Sequence, residues 1–125
     1  MFSSCSRADP PVPSPTDLAL TLQHVEEHEY VRFAAHWMTN ATDLDSPAEL
    51  TGDDVVDALV AAAAAWVGIQ KTGSEPAWTY GDGRALVNRL WHPGAPGMLP
   101  YSLVRSPGSF LVRGIVVARE SLDCV

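Results

Sequence analysis

Residues Gln23–Tyr30 read QHVEEHEY, and within them His24, Glu27 and His28 form H-x-x-E-H. On a helix, positions i, i+3 and i+4 share a face, so two imidazoles and a carboxylate could converge on zinc and activate water for hydrolysis. A catalytic site of that kind also needs a third protein ligand and a cleft that excludes bulk water. Glu75 is the only isolated downstream carboxylate at a plausible distance, and it precedes Pro76 in a loop. On a helical projection the three donors point away from the apolar stripe of Leu18, Leu22 and Val25. A solvated polar face belongs there. The pattern is read as accidental, no metal or cofactor is expected, and a small zinc-dependent hydrolase on His24, Glu27 and His28 is kept as the alternative.

Other chemistries find less support. H-x-x-E-H is the spacing of inverzincin peptidases, whose catalytic domains are far longer than this chain. No serine stands in G-x-S-x-G. "GDGRAL" has Leu86 where a dinucleotide fingerprint needs its third glycine, and the single lysine, Lys71, has no phosphate-loop neighbours. His36 reads as a surface residue and His92, before Pro93, as part of a turn. Cys5 and Cys124 belong to no C-x-x-C pair and read as two reduced thiols in a cytoplasm, with one terminal disulfide in an exported protein as the alternative.

The net charge of −7 is unevenly placed. Residues 1–57 hold eleven acids against Arg7 and Arg32, a local −9; residues 58–125 hold four acids against six bases, a local +2. An acidic half repels phosphate backbones and anionic membranes and attracts a basic protein surface. The most apolar window, Ala58–Val67, is ten residues long, whereas a membrane span needs about 20.

These residues must be positioned by a mainly α fold. Residues 1–15, with four prolines and four serines, read as a disordered leader. Residues 16–125 read as one small domain of four to five helices, with a helical half over 16–71 and an irregular Pro/Gly-rich half over 72–125. Thr16 or Asp17 caps the first helix, and a second stripe runs through Tyr30, Phe33, Ala34, Trp37, Met38 and Ala41. The two stripes differ in direction, so a break is expected between Glu26 and Glu29. Thr51–Val67 is the strongest helix, with Thr51 and Asp54 as a capping box and Gly68 as its stop. Asp82 is expected to cap a short helix through Trp91, and Ser106-Pro107 to open another. Ile115-Val116-Val117 has the character of one short strand.

Trp37 and Trp66 fall on helix stripes. Trp78 and Trp91 stand in Pro-bounded segments, where aromatics pin loops to a helical base or, as the sharper reading, line a small-ligand pocket. The segments "EPAWT", "LWHP" and "SLVRSPGSFLVRGIVV", followed by Leu122-Asp123, together resemble the C-terminal region of small actinobacterial-type proteins. In that family the tail carries P-A-W-T, W-x-P and S-P-x-x-F-x-x-R-G-I. Trp78, Trp91, Ser106, Pro107, Phe110, Arg113 and Gly114 match the pattern. Such proteins can carry a helix-turn-helix regulator and can neighbour nucleotidyltransferase-like toxins in toxin–antitoxin pairs. The resemblance implies a non-catalytic, antitoxin-like or regulator-associated partner. Two features depart from it: Leu111-Val112-Arg113 replaces a denser arginine run, and the first half lacks a clear DNA-reading helix pair.

The expected function is a cytoplasmic, non-enzymatic protein-interaction module without membrane contact. Asp53, Asp57, Trp78, Trp91, Arg105, Phe110 and Arg113 are its candidate partner-binding residues. Nucleic-acid contact through Arg84, Arg89, Arg105, Arg113 and Arg119 ranks between that reading and the hydrolase.

Overall fold

A computed structural model describes residues 14–122, and their secondary structure is helical. The expected leader falls outside these residues except for Ser14 and Pro15, and Cys5 and Cys124 also lie outside them.

Helix α1 spans Pro15–Leu22. Its cap is Ser14 rather than Thr16 or Asp17: the Ser14 hydroxyl accepts the Asp17 N–H, and the Asp17 carboxylate accepts the Ser14 N–H at 2.9 Å. Pro15 fits the first helical position because its missing N–H would have no partner there. Leu18 and Leu22 are fully buried. The chain then breaks where the two stripes change direction. A single 3-10 turn over Glu27–Glu29 leads into α2, Tyr30–Asn40. That helix buries Tyr30, Ala34, Trp37 and Met38.

Helix α3, Asp54–Thr72, is the axis of the molecule, and both of its ends differ from the sequence reading. Asp53 is the cap, accepting the N–H groups of Val55 and Val56 at 3.0 and 3.3 Å. Thr51 instead donates its backbone N–H and hydroxyl to Asp57, both at 2.9 Å. The helix runs past Gly68 and stops at Gly73, whose φ of +84° is the left-handed turn that glycine tolerates. Gly68 serves a different purpose. A Cβ there would lie 2.6 Å from the Ser74 carbonyl, so only glycine lets the following loop cross the helix.

Every residue from Val55 to Ala65 is buried. A helix apolar on all sides must be covered on all sides. Here α1, α2, α5 and the turn Ala77–Tyr80 pack around it. By length and composition α3 would pass for a membrane span, a longer apolar stretch than the ten-residue window suggested, but 72% of that window is buried inside the protein.

The expected helix from Asp82 to Trp91 is absent. The Leu86 N–H is held by the Arg113 carbonyl at 3.0 Å, and the Trp91 N–H by Gly114 at 2.8 Å. Those bonds draw the segment alongside residues 113–116 and remove the i→i−4 pattern. The strand character of Ile115–Val117 appears only as a parallel bridge between Trp91 and Ile115. Helix α4, Leu99–Arg105, lies within the half expected to be irregular. Helix α5, Gly108–Leu111, follows Pro107 as expected.

Candidate functional site

The break after α1 separates the three potential zinc donors. The His24 ring nitrogen Nδ1 lies 2.8 Å from the Leu20 carbonyl, and His28 Nδ1 lies 3.6 Å from Glu26. Glu27 accepts the indole N–H of Trp91 at 2.5 Å. Their common helical face does not form, and no group of three His, Cys, Asp or Glu among the described residues could hold a metal ion.

The second-half motifs converge on a single lock. Phe110 is 0% exposed, in contact with the core around α3. The Arg113 guanidinium, also buried, donates to the Thr79 carbonyl from Nε at 3.2 Å and Nη2 at 3.1 Å, and to the Ser109 carbonyl from Nη1 at 2.7 Å. Glu75 lies 3.7 Å from Arg113 and accepts the Ser109 hydroxyl at 2.9 Å. Burial alone would push Glu75 up; the Tyr80 and Ser109 hydroxyls and the Arg113 charge overcome it and hold the carboxyl below its ordinary value. Tyr80 lies over the Arg113 guanidinium at 4.8 Å and is raised in turn by Glu75.

Gly114 completes the turn at φ +82°, where a Cβ would meet the Arg89 carbonyl at 2.9 Å. Ser106 accepts the Val117 N–H at 3.0 Å and donates to the Ser102 carbonyl at 2.7 Å. Trp78 donates to Leu44 at 2.8 Å, while the Arg84 guanidinium sits 4.9 Å from its ring and reaches the Ala48 carbonyl. Phe110 packs the second half onto the core around α3, Trp78 and Arg84 tie it to the loop after α2, and Arg113, Glu75 and Ser106 hold it together internally.

The candidate partner-binding residues are therefore divided. Asp57, Trp91, Phe110 and Arg113 are buried, Trp78 is partly covered, and Asp53 and Arg105 are exposed. The second-half arginines do not form one basic face. Arg84 and Arg113 are buried, Arg89 pairs with Asp54 at 2.7 Å, and Arg105 pairs with Glu120 at 2.8 Å. Hydrogen bonds from Tyr101 and Arg105 lower the Glu120 carboxyl to about 2.

Acidic residues distant in sequence do come together. Burial raises the Tyr30 hydroxyl, and the charges of Asp53 and Glu27 raise it further. Arg89 is raised first by its bond to Asp54 and then by the charges of Asp54, Asp53 and Glu27. The Arg89–Asp54 pair at 2.7 Å and the Trp91–Glu27 bond at 2.5 Å bring the turn before α2 and the start of α3 to one acidic end.

One pair missed by the sequence reading has nucleophile–base spacing. The Ser102 hydroxyl lies 3.1 Å from His92 Nε2 beside a cavity of about 180 Å³. Among the described residues no carboxylate orients the imidazole. A serine hydrolase would need that support and oxyanion donors. The ten-residue spacing, across a loop and into an unexpected helix, left no sequence signal. No family model, curated protein or solved structure matches the chain.

Proposed function

We propose that this protein is a non-enzymatic interaction module that holds a basic protein partner at the acidic end built by Glu27, Asp53 and Asp54. The observation that carries the proposal is geometric: Arg89 pairs with Asp54 at 2.7 Å and Trp91, two residues on, donates to Glu27 at 2.5 Å, which brings carboxylates of two segments to one end. Three carboxylates against Arg89 leave that end net negative, and a basic surface complements it. The antitoxin-like or regulator-associated role rests on the resemblance of the second half, whose matching side chains build the platform rather than the contact. A cytoplasmic setting belongs to the same reading. Asp57 leaves the contact set because it is buried beneath Thr51.

The experiment is co-purification with the product of the neighbouring reading frame, followed by association kinetics at rising salt. A nucleotidyltransferase-like neighbour that binds with a steep salt dependence supports the proposal. Association indifferent to salt and to Asp53 removes it.

A further inference from the structure

The aromatic and cationic side chains can be sorted by what their polar atoms meet. Trp37 donates its indole N–H to Ser14 at 2.9 Å, Trp78 to Leu44 at 2.8 Å, and Trp91 to Glu27 at 2.5 Å. Among the described residues the fourth indole, Trp66, meets no acceptor. Of the five second-half arginines, Arg84 and Arg113 are buried on backbone carbonyls, and Arg89 and Arg105 hold carboxylates. Arg119 meets no carboxylate among the described residues. These two side chains, without a hydrogen-bond or ion-pair partner among the described residues, lie together, with the Arg119 guanidinium 5.3 Å from the Trp66 ring centroid.

Two clefts share this pair as a wall. One, of about 200 Å³, extends toward Met38, Gln70 and Leu122. The other, of about 480 Å³, extends toward Val104, Arg105 and Pro107. Among the described residues no carboxylate lines either cleft. Val104, at the rim of the larger one, is 86% exposed. Arg105 directs its Nε to Glu120, so Arg119 supplies the uncompensated charge.

The chemistry is complementary to one kind of molecule. An indole face is a flat apolar platform with a polar edge. A guanidinium binds a carboxylate or phosphate through two parallel hydrogen bonds. The larger cleft has the volume of small-ligand pockets, which run from about 300 to 1,000 Å³.

We propose that the Trp66–Arg119 cleft binds a small organic anion, with a flat ring lying along Trp66 and one carboxylate or phosphate held by Arg119. An aromatic acid and a nucleoside monophosphate both carry that chemistry. The site stands apart from the acidic end and does not depend on a protein partner.

The test is a titration of the full-length, nitrogen-15-labelled protein, following its indole N–H resonances. The probes are naphthalene-2-carboxylate, adenosine monophosphate and the neutral 2-naphthamide. The Trp66 resonance moves with at least one anion, with a dissociation constant at or below about 1 mM, while the other indoles stay in place. Response to the carboxylate alone assigns an aromatic acid; response to the monophosphate alone assigns a nucleotide; response to both supports the shared chemistry. Arg119→Gln, at an exposed position, weakens binding about tenfold or more, and the amide probe is weaker by a similar factor. A Trp66 resonance unmoved by either anion at about 10 mM overturns the proposal, as does equal binding by Arg119→Gln or by the amide.

Discussion

The indole N–H of Trp91 donates to the Glu27 carboxylate at 2.5 Å, joining two residues 64 positions apart. The same indole lies 6.0 Å from the ring of Tyr30, so one side chain ties the second half to the turn that opens α2. The central carboxylate of H-x-x-E-H therefore has a structural partner. Trp91→Phe keeps most of the ring and removes the donor, and should lower unfolding free energy by about 1–2 kcal/mol in urea. Glu27→Gln retains an acceptor and should lose less. A Trp91→Phe variant as stable as the parent would show that the bond adds nothing.

The lock around α5 makes two expectations with different physical origins. Phe110→Ala empties a fully buried site and should cost about 3–5 kcal/mol. Gly114→Ala combines a φ of +82° with a carbonyl 2.9 Å from the new methyl, and should cost about 2 kcal/mol or more. Urea unfolding of both variants checks this. Near-neutral results would mean that the second half does not fold cooperatively with α3.

Glu75 sets the acid response of the lock. Its folded-state pKa lies below 4.5, so its contribution is present above that value and is lost as the pH falls through the folded pKa. The stability difference between the parent and Glu75→Gln should be widest near about pH 6 and should narrow as the pH drops below about 4. A difference that grows in acid would contradict the assigned direction.

Zinc should leave the thermal midpoint unchanged, both in the parent and in a His24→Ala, His28→Ala double variant. A rise of more than about 3 °C in the parent, lost in the double variant, would restore H-x-x-E-H as a metal site.

Much of the first half was legible because helix periodicity and stripe direction are local. The shift between the Leu18 stripe and the Tyr30 stripe located the break, and the apolar run from Val55 identified the core helix. The ends of α3 were misread because two residues were given the wrong neighbours. Gly68 accommodates a crossing loop, and Thr51 bonds Asp57 rather than capping. In the second half, Leu86 and Trp91 take their backbone partners from residues 113–116, a pairing that periodicity cannot reveal. Among the motif residues, burial of Phe110 and Arg113 fits them for holding the fold rather than for touching a partner. The Trp66–Arg119 cleft joins residues 53 positions apart, and the sequence shows no spacing that would suggest it.

The central claim is that a basic protein is held at the acidic end, and association kinetics with the neighbouring gene product test it most directly. Asp53→Lys with Asp54→Lys should slow association about tenfold or more at low salt, and the parent rate should fall steeply by about 0.5 M salt. Arg105→Glu should change the rate little; Arg113 is unsuitable for reversal because it is buried. An unchanged rate in the Asp53, Asp54 double reversal, loss of binding on reversing Arg105 alone, or a nucleic acid as the tight ligand would contradict the account.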